Sequence, residues 1–373
     1  MSPSPKGLSI LYLSVGSGHQ IAAESLANAI QRERPELPVI VEDPFADKNK
    51  ILPKVLNALQ TVSIVLAPDI YDLAWRRKTD YDSYQWLSDM GLLQDFLLER
   101  LSKYNVATVT ATHVLPCILA GGLKRRSLIN NVYGVITDFG AHSLWPTRDV
   151  DRYFVASEEL KNTLSFREIN TPDIQVTGIP IKPIFQSKFL KPTSPTIKVL
   201  IITGGMRSGS YAGLHSYFSD LLSLIEAENL ENIELTIVTG NQKQLKKELT
   251  RQQKNSKLNI RILGYVQDMP RLMMSNDIII TKPGGLIISE ALAIGMCIVL
   301  ARPGPGQESA NADFLARNGV AFKGDTPEDV VKALNYLYKN RNVIDEMKIK
   351  SKNLGYPNSA DAVAKIILND LNV

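Results

Sequence analysis

Short apolar runs of strand length alternate along this chain with amphipathic stretches of helix length, a pattern that predicts parallel sheets covered by helices. In the first half the predicted strands are "LSILYLSV" (8–15), "PVIVED" (38–43), "VATVTAT" (106–112), "VYGVITD" (132–138) and "RYFVAS" (152–157). The pattern restarts at "IKVLIITGG" (197–205) and runs through "IELTIVTG" (233–240), "IRILGYV" (260–266), "DIIITK" (277–282) and "CIVLA" (297–301). Two doubly wound, Rossmann-like α/β domains are therefore expected, residues 1–180 and 197–373, with the last helix able to pack back on the first. Between them "TGIPIKPIFQSKFLKPTSPT" (177–196) carries four prolines and reads as a linker.

In an open parallel sheet, ligands bind outside the carboxyl ends of the strands, so two such sheets are expected to face a cleft lined by post-strand loops. With 44% hydrophobic and 21% charged residues in 373, and no low-complexity tract, the chain is expected to fold throughout. Cys117 and Cys297 sit in apolar surroundings, as buried free thiols do in a reducing compartment. "MSPSPKG" lacks the pattern of a secretory leader, and no apolar run reaches the ~18 residues needed to span a bilayer, so a cytoplasmic protein is expected. The net charge of +4 is uneven: residues 1–180 hold 18 Lys/Arg against 20 Asp/Glu, the remainder 24 against 18. A basic second half suits an anionic ligand. Nucleic acid is not expected as a partner, because no basic motif interleaved with aromatics is present.

The loops after the strands carry the candidate chemistry. "SVGSGHQIAAESLANAI" (14–30) sets Gly16 and Gly18 between the first strand and a helix whose stripe is Ala22, Ala23, Leu26, Ala27 and Ile30. A glycine turn feeding a helix N-terminus suits an anion. A dinucleotide fingerprint would use Glu42 or Asp43 for the ribose, but its sixth position is Ile21 where glycine or alanine is required. His19 opens the helix, either as a general base for a hydroxyl nucleophile or as a capping, solvent-facing residue. In the second half "TGGMRSGS" (203–210) offers Gly204, Gly205, Arg207, Ser208 and Ser210 as donors around a diphosphate. "TKPGGLIISEALAIG" (281–295) puts Gly284 and Gly285 at a helix start with Glu290 inside it, placed either to accept the two hydroxyls of a ribose or to solvate the helix. "RPGPGQESAN" (302–311) offers Gln307, Glu308 and Asn311 to sugar hydroxyls, or is a plain Pro/Gly turn.

At these residues the chain resembles the two-domain GT-B nucleotide-sugar glycosyltransferases (glycosyltransferase family 28-like). Within them it is similar to the group of monogalactosyldiacylglycerol synthase, the processive diacylglycerol glucosyltransferases and the lipid II N-acetylglucosaminyltransferase. The most specific stretch is residues 264–311, joined by "GSGHQIAA", "ATHVLP" (111–116) and "TDFGAHSLW" (137–145). The resemblance implies His19 as the base on the acceptor hydroxyl, and Gly18, His113, Asp138, His142 and Trp145 around the acceptor, with Trp145 toward the lipid. It implies Glu290 on the ribose, main chain around Gly264, Tyr265 and Val266 on the uracil, "TGGMRS" with Arg207 on the diphosphate, and Gln307 with Asn311 on the donor sugar. The implied reaction is transfer of a hexose from UDP-galactose or UDP-glucose to a lipid such as diacylglycerol, with inversion to a β-glycoside. No metal or other cofactor is implied, since main-chain amides, Arg207 and a helix N-terminus meet the leaving diphosphate's charge. The first loop has two glycines where the plant enzymes carry a longer run, and residues 48–104 match weakly, which leaves the acceptor open. The other readings are a different acceptor, lipid II-like or soluble, and a UDP-sugar 2-epimerase on a related fold.

A lipid acceptor implies a membrane surface. Residues 48–78 place Leu52, Val55, Leu56, Leu59 and Val62 at helical spacing, with Lys48, Lys50 and Lys54 at one end and Arg76, Arg77 and Lys78 at the other. Such a helix lies in an anionic interface or packs as ordinary core. Lys124, Arg125 and Arg126 form a second basic group expected to strengthen the docking surface.

Overall fold

A strand that is covered on both faces can be apolar at every position, and β1 (Gly7–Leu11) is buried at all five residues. The computed structural model describes residues 7–14, 16–46, 91–141, 144–146, 148–165, 173–186, 194–204 and 214–372. The chain divides into two units: Met1–Pro183 with Asn358–Val373, and Ile184–Pro357.

In chain order the first unit contains β1, α1 (Gly18–Glu33), β2 (Val39–Glu42), α2 (Gly91–Lys103), β3 (Val106–Ala111), α3 (Val114–Arg125), β4 (Asn131–Val135), β5 (Arg152–Val155), α4 (Glu158–Ser165) and β6 (Asp173–Val176). The second contains β7 (Ile197–Ile202), α5 (Leu214–Ala227), β8 (Ile233–Val238), α6 (Lys243–Gln253), β9 (Asn259–Leu263), α7 (Met269–Met274), β10 (Ile278–Thr281), α8 (Gly285–Ile294), β11 (Cys297–Ala301), α9 (Gln307–Arg317), β12 (Ala321–Gly324), α10 (Pro327–Lys339) and α11 (Arg341–Leu354). The final helix, α12 (Ser359–Asp370), returns to the first unit.

The described strands form two sheets, in the orders β2-β1-β3-β4-β5-β6 and β12-β11-β10-β7-β8-β9, and every pairing is parallel. Both are doubly wound. The strand order reverses between β1 and β3 in the first sheet and between β7 and β10 in the second. Those reversals separate the outgoing loops and open a crevice at the carboxyl edge.

Two strands escape the hydrophobic pattern. "DIQV" (β6) and "AFKG" (β12) are edge strands of four residues, half polar because one side meets solvent. The expected linker is also partly built in. Ile179 and Ile181 are each 1% exposed, and the Ile181 amide donates to Ser359 Oγ at 3.2 Å. On α12, Val363, Ala364, Ile367 and Leu368 are buried with Leu8, Ile10, Leu26 and Ile30. Each larger side chain so buried contributes about 1.5–3 kcal/mol, so α12 is part of the first unit's core. Cys117 and Cys297 are buried free thiols, both pushed up to about 12 by burial.

Candidate functional site

In the first unit the crevice at the β1/β3 reversal is built from three segments. Gly16 turns the chain with φ +85°, open only to glycine without strain, and α1 then starts at Gly18. The register of β1 on β3 sets Leu11 beside Ala111, so Thr112 follows the strand end next to the start of α1. Thr112 Oγ1 donates to the carbonyl of His19 at 3.1 Å, and His19 Nδ1 lies 2.8 Å from the Thr112 carbonyl oxygen. Thr137 Oγ1, just past β4, lies 2.9 Å from the same Nδ1.

A carbonyl oxygen only accepts, so Nδ1 of His19 carries the proton and Nε2 presents its lone pair. Among the described residues nothing bonds Nε2. Burial holds the imidazole below its ordinary 6.5, partly offset by the Thr112 carbonyl. The N-terminal end of a helix also disfavours a cation. The ring is therefore neutral near pH 7 and ready to accept a proton at Nε2. His113 packs edge-on against it, with centroids 4.9 Å apart. His113 caps α3, accepting from the Leu115 amide at 3.2 Å through Nδ1, so its neutral form carries the proton on Nε2. The two histidines thus have opposite tautomers.

The remaining first-unit residues divide. Gly18 is the first residue of α1, and Asp138 is half-buried beside Thr137. His142 lies outside the described residues, as do residues 48–78. Trp145 is a correction. It is 6% exposed and meets the Tyr153 ring at 5.8 Å and 90°, while Tyr153 is pinned by its hydroxyl to the Pro146 carbonyl at 2.7 Å. An indole so covered packs the core and presents no face to a lipid. The second basic group lies among carboxylates. Lys124 pairs with Asp151, Arg125 with Asp149 at 3.6 Å, and Arg126 with Asp95 at 3.9 Å and the Gln94 amide oxygen at 2.8 Å. Of the carboxylates weighed for a dinucleotide ribose, Asp43 accepts the Ser14 and Phe45 amides at 2.9 and 3.0 Å, and Glu42 is paired with Arg100.

In the second unit the β7/β10 reversal brings Gly204, with φ +88°, against the stem of Lys282. Gln242 ties the turn down, donating from Nε2 to the Gly204 carbonyl at 2.7 Å and to Thr203 Oγ1 at 3.1 Å. Gly205, Arg207 and Ser208 lie outside the described residues. After β10, Gly284 is the N-cap of α8 and Gly285 its first residue. Glu290 is 8% exposed on that helix. After β9, Gly264 and Val266 are half-buried and Tyr265 is 72% exposed.

The loop after β11 departs from expectation at Asn311. It is fully buried, and its Nδ2 donates to the Pro283 carbonyl at 2.9 Å, so it ties α9 to the "TKPGG" turn. Gln307 is the half-buried first residue of α9. Glu308 accepts the Gly304 amide at 2.8 Å and faces Lys282 Nζ at 3.4 Å. Lys282 itself was passed over in the sequence, although a lysine immediately after an apolar strand and before Pro-Gly-Gly is a legible signal. It is 8% exposed, and burial holds its ammonium below the ordinary lysine value against the pull of Glu308. Among the described residues no group of three or more His, Cys, Asp or Glu is placed to hold a metal ion, and no helix is long and apolar enough to cross a membrane.

Residues 19–181 match the family described as monogalactosyldiacylglycerol (MGDG) synthase, and residues 211–354 match the glycosyl transferases group 1. The chain is 28% identical over 389 residues to a processive diacylglycerol β-glucosyltransferase of Bacillus cereus strain ZK / E33L, covering all of this chain and 96% of that protein. It is 28% identical over 373 residues to the protein of the same name from Bacillus pumilus strain SAFR-032, covering 97% and 94%. Among solved structures, MurG of Acinetobacter baumannii superposes with a TM-score of 0.65 at 17% identity, covering 98% of this chain and 100% of that one. The UDP-GlcNAc 2-epimerase of Neisseria meningitidis, bound to UDP-GlcNAc, gives 0.61 at 14%, again over 98% and 100%.

Proposed function

Since the chain is a glycosyltransferase of the two-domain GT-B fold, similar along its whole length to processive diacylglycerol glucosyltransferases, we propose that it moves a hexose from a UDP-sugar to a lipid hydroxyl such as that of diacylglycerol. The observation that supports this reading is the His19 tautomer, set by the Thr112 carbonyl, which leaves Nε2 as the basic nitrogen at the reversal of the first sheet. The first unit activates the acceptor and the second holds the donor. The acceptor oxygen gives its proton to His19 Nε2 and bonds to the anomeric carbon. The bond from that carbon to the diphosphate breaks, its electron pair leaving with the diphosphate oxygen. One such displacement on an α-linked donor yields a β-glycoside. The glycine loops and the first amides of α8 offset the leaving charge, and we assign no metal to the step. Glu290 takes the ribose, the main chain at 264–266 the uracil, and Gln307 the hexose.

A lipid acceptor places the protein at the cytoplasmic face of a membrane, held peripherally. Incubation with UDP-galactose or UDP-glucose and mixed acceptor lipids, read by product mass, tests the whole reading. A glycolipid heavier than its acceptor by one hexose supports it. A soluble glycoside, or an isomerised UDP-sugar with no acceptor consumed, overturns it.

A further inference from the structure

We propose that Thr137 is a positioning residue of the transfer step, its hydroxyl fixing the plane of the His19 ring so that Nε2 points at the acceptor hydroxyl. This rests on the reading of His19 as the base of a hexosyl transfer. His19 is held from two strand ends. Thr112, the first residue beyond β3, donates from Oγ1 to the His19 carbonyl at 3.1 Å and so anchors its main chain. The Thr112 carbonyl oxygen stands 2.8 Å from His19 Nδ1. Thr137, just beyond β4, brings Oγ1 to 2.9 Å from the same nitrogen. The pairing of β3 with β4 sets Ala111 beside Gly134, and the Ile136 amide bonds the Phe154 carbonyl at 3.0 Å, so the sheet itself carries both threonines to the ring.

The directions of these bonds follow from the Thr112 carbonyl, which only accepts. Nδ1–H is shared between that carbonyl and Thr137 Oγ1, and the Thr137 hydroxyl turns its own hydrogen to the Thr112 carbonyl at 3.5 Å. The torsion that turns a histidine ring has broad wells, so one acceptor on Nδ1 leaves the plane loosely set. A second acceptor from another strand end narrows it. Thr137 is buried, which keeps water from competing for Nδ1–H, and the His113 ring closes one side edge-on. A carboxylate in this place would favour the imidazolium, whereas a hydroxyl orients the ring and leaves it neutral. When Nε2 takes the acceptor's proton, Nδ1 keeps its own and the ring becomes a cation. Both bonds to Nδ1–H then become charge-assisted, so the hydroxyl contributes most during transfer.

The plainer role for Thr137 is to fill space beyond β4, and variants that separate its hydroxyl from its bulk distinguish the two. Thr137→Val and Thr137→Ala lack the hydroxyl, and Thr137→Ser keeps it. Transfer from UDP-glucose or UDP-galactose to diacylglycerol is followed by steady-state kinetics, with melting temperatures taken in parallel. A loosened base predicts kcat lowered by about ten- to hundredfold in Thr137→Val and Thr137→Ala, with KM for donor and lipid nearly unchanged. Thr137→Ser recovers most of the lost kcat. On the His19→Ala background, Thr137→Val has almost no further effect on turnover, because the hydroxyl acts only through the ring. Wild-type kcat in Thr137→Val overturns the proposal. So does a loss in Thr137→Ser equal to that in Thr137→Ala, and so does an undiminished further loss on the His19→Ala background. Should Thr137→Val fail to fold, Thr137→Ala and Thr137→Ser, which differ by the hydroxyl alone, decide. A wild-type chain that transfers no hexose overturns the transferase reading together with this one, whereas an active wild type whose variants fail these tests isolates the failure to Thr137.

Discussion

Nδ1 of His19 lies 2.8 Å from the carbonyl oxygen of Thr112, a residue 93 positions further along the chain. The bond exists because β1 and β3 are neighbours in the sheet, and it decides which nitrogen of the ring can act. Replacing His19 by alanine should lower turnover by about two to four powers of ten, while UDP binds nearly as before. Steady-state kinetics and calorimetry check the two halves separately. Near-normal turnover removes His19 from the mechanism and makes His113 and His142 the next candidates.

The depressed pKa of His19 sets a pH dependence with a definite sign. The neutral ring is the active form, so kcat should hold down to pH 6.5 and fall only below it. Stability follows the same direction. A histidine whose folded pKa is lowered binds more protons when unfolded, so its contribution is complete above about 6.5 and is lost as the pH falls below that value. Urea midpoints across pH 5 to 7.5 should show this slope in the wild type and less of it in His19→Gln.

In the second unit, three side chains should separate by ligand. Glu290→Ala weakens UDP itself. Gln307→Ala weakens the intact sugar nucleotide and scarcely UDP. Asn311→Ala leaves the Pro283 carbonyl unsatisfied in the core, costs about 1–3 kcal/mol of stability, and loosens UDP and sugar nucleotide alike. Titration of each variant with both ligands distinguishes these patterns. Equal losses of UDP affinity in Glu290→Ala and Gln307→Ala contradict the division between ribose and hexose.

Binding to vesicles should rise with phosphatidylglycerol content, fall with salt, and weaken when Arg76, Arg77 and Lys78 become serine. Lys124, Arg125 and Arg126 already face Asp151, Asp149 and Asp95, so removing their charges should change vesicle binding far less. Co-sedimentation at low and high salt measures both. A wild-type protein that ignores anionic vesicles at low salt makes a soluble acceptor the better reading.

The sequence by itself determined the architecture. Central parallel strands are buried on both faces, so β1, β3, β7, β10 and β11 are written as largely apolar runs, and the turns after β1, β7, β10 and β11 carry glycine. The edge strands β6 and β12 meet water on one side and lose that signature. His19 stood out in the sequence because it opens a helix beyond the first strand, which left it either a base or a helix cap. Only the tertiary structure decided what each polar side chain faces. Trp145 turned inward onto Tyr153, Asn311 bonded a carbonyl 28 residues away, and Lys282 was buried against Glu308. A side chain's partner comes from another strand end or loop, and one-dimensional order holds no record of which ends the sheet brings together. The strand order does, and it set both candidate sites at the points where that order reverses.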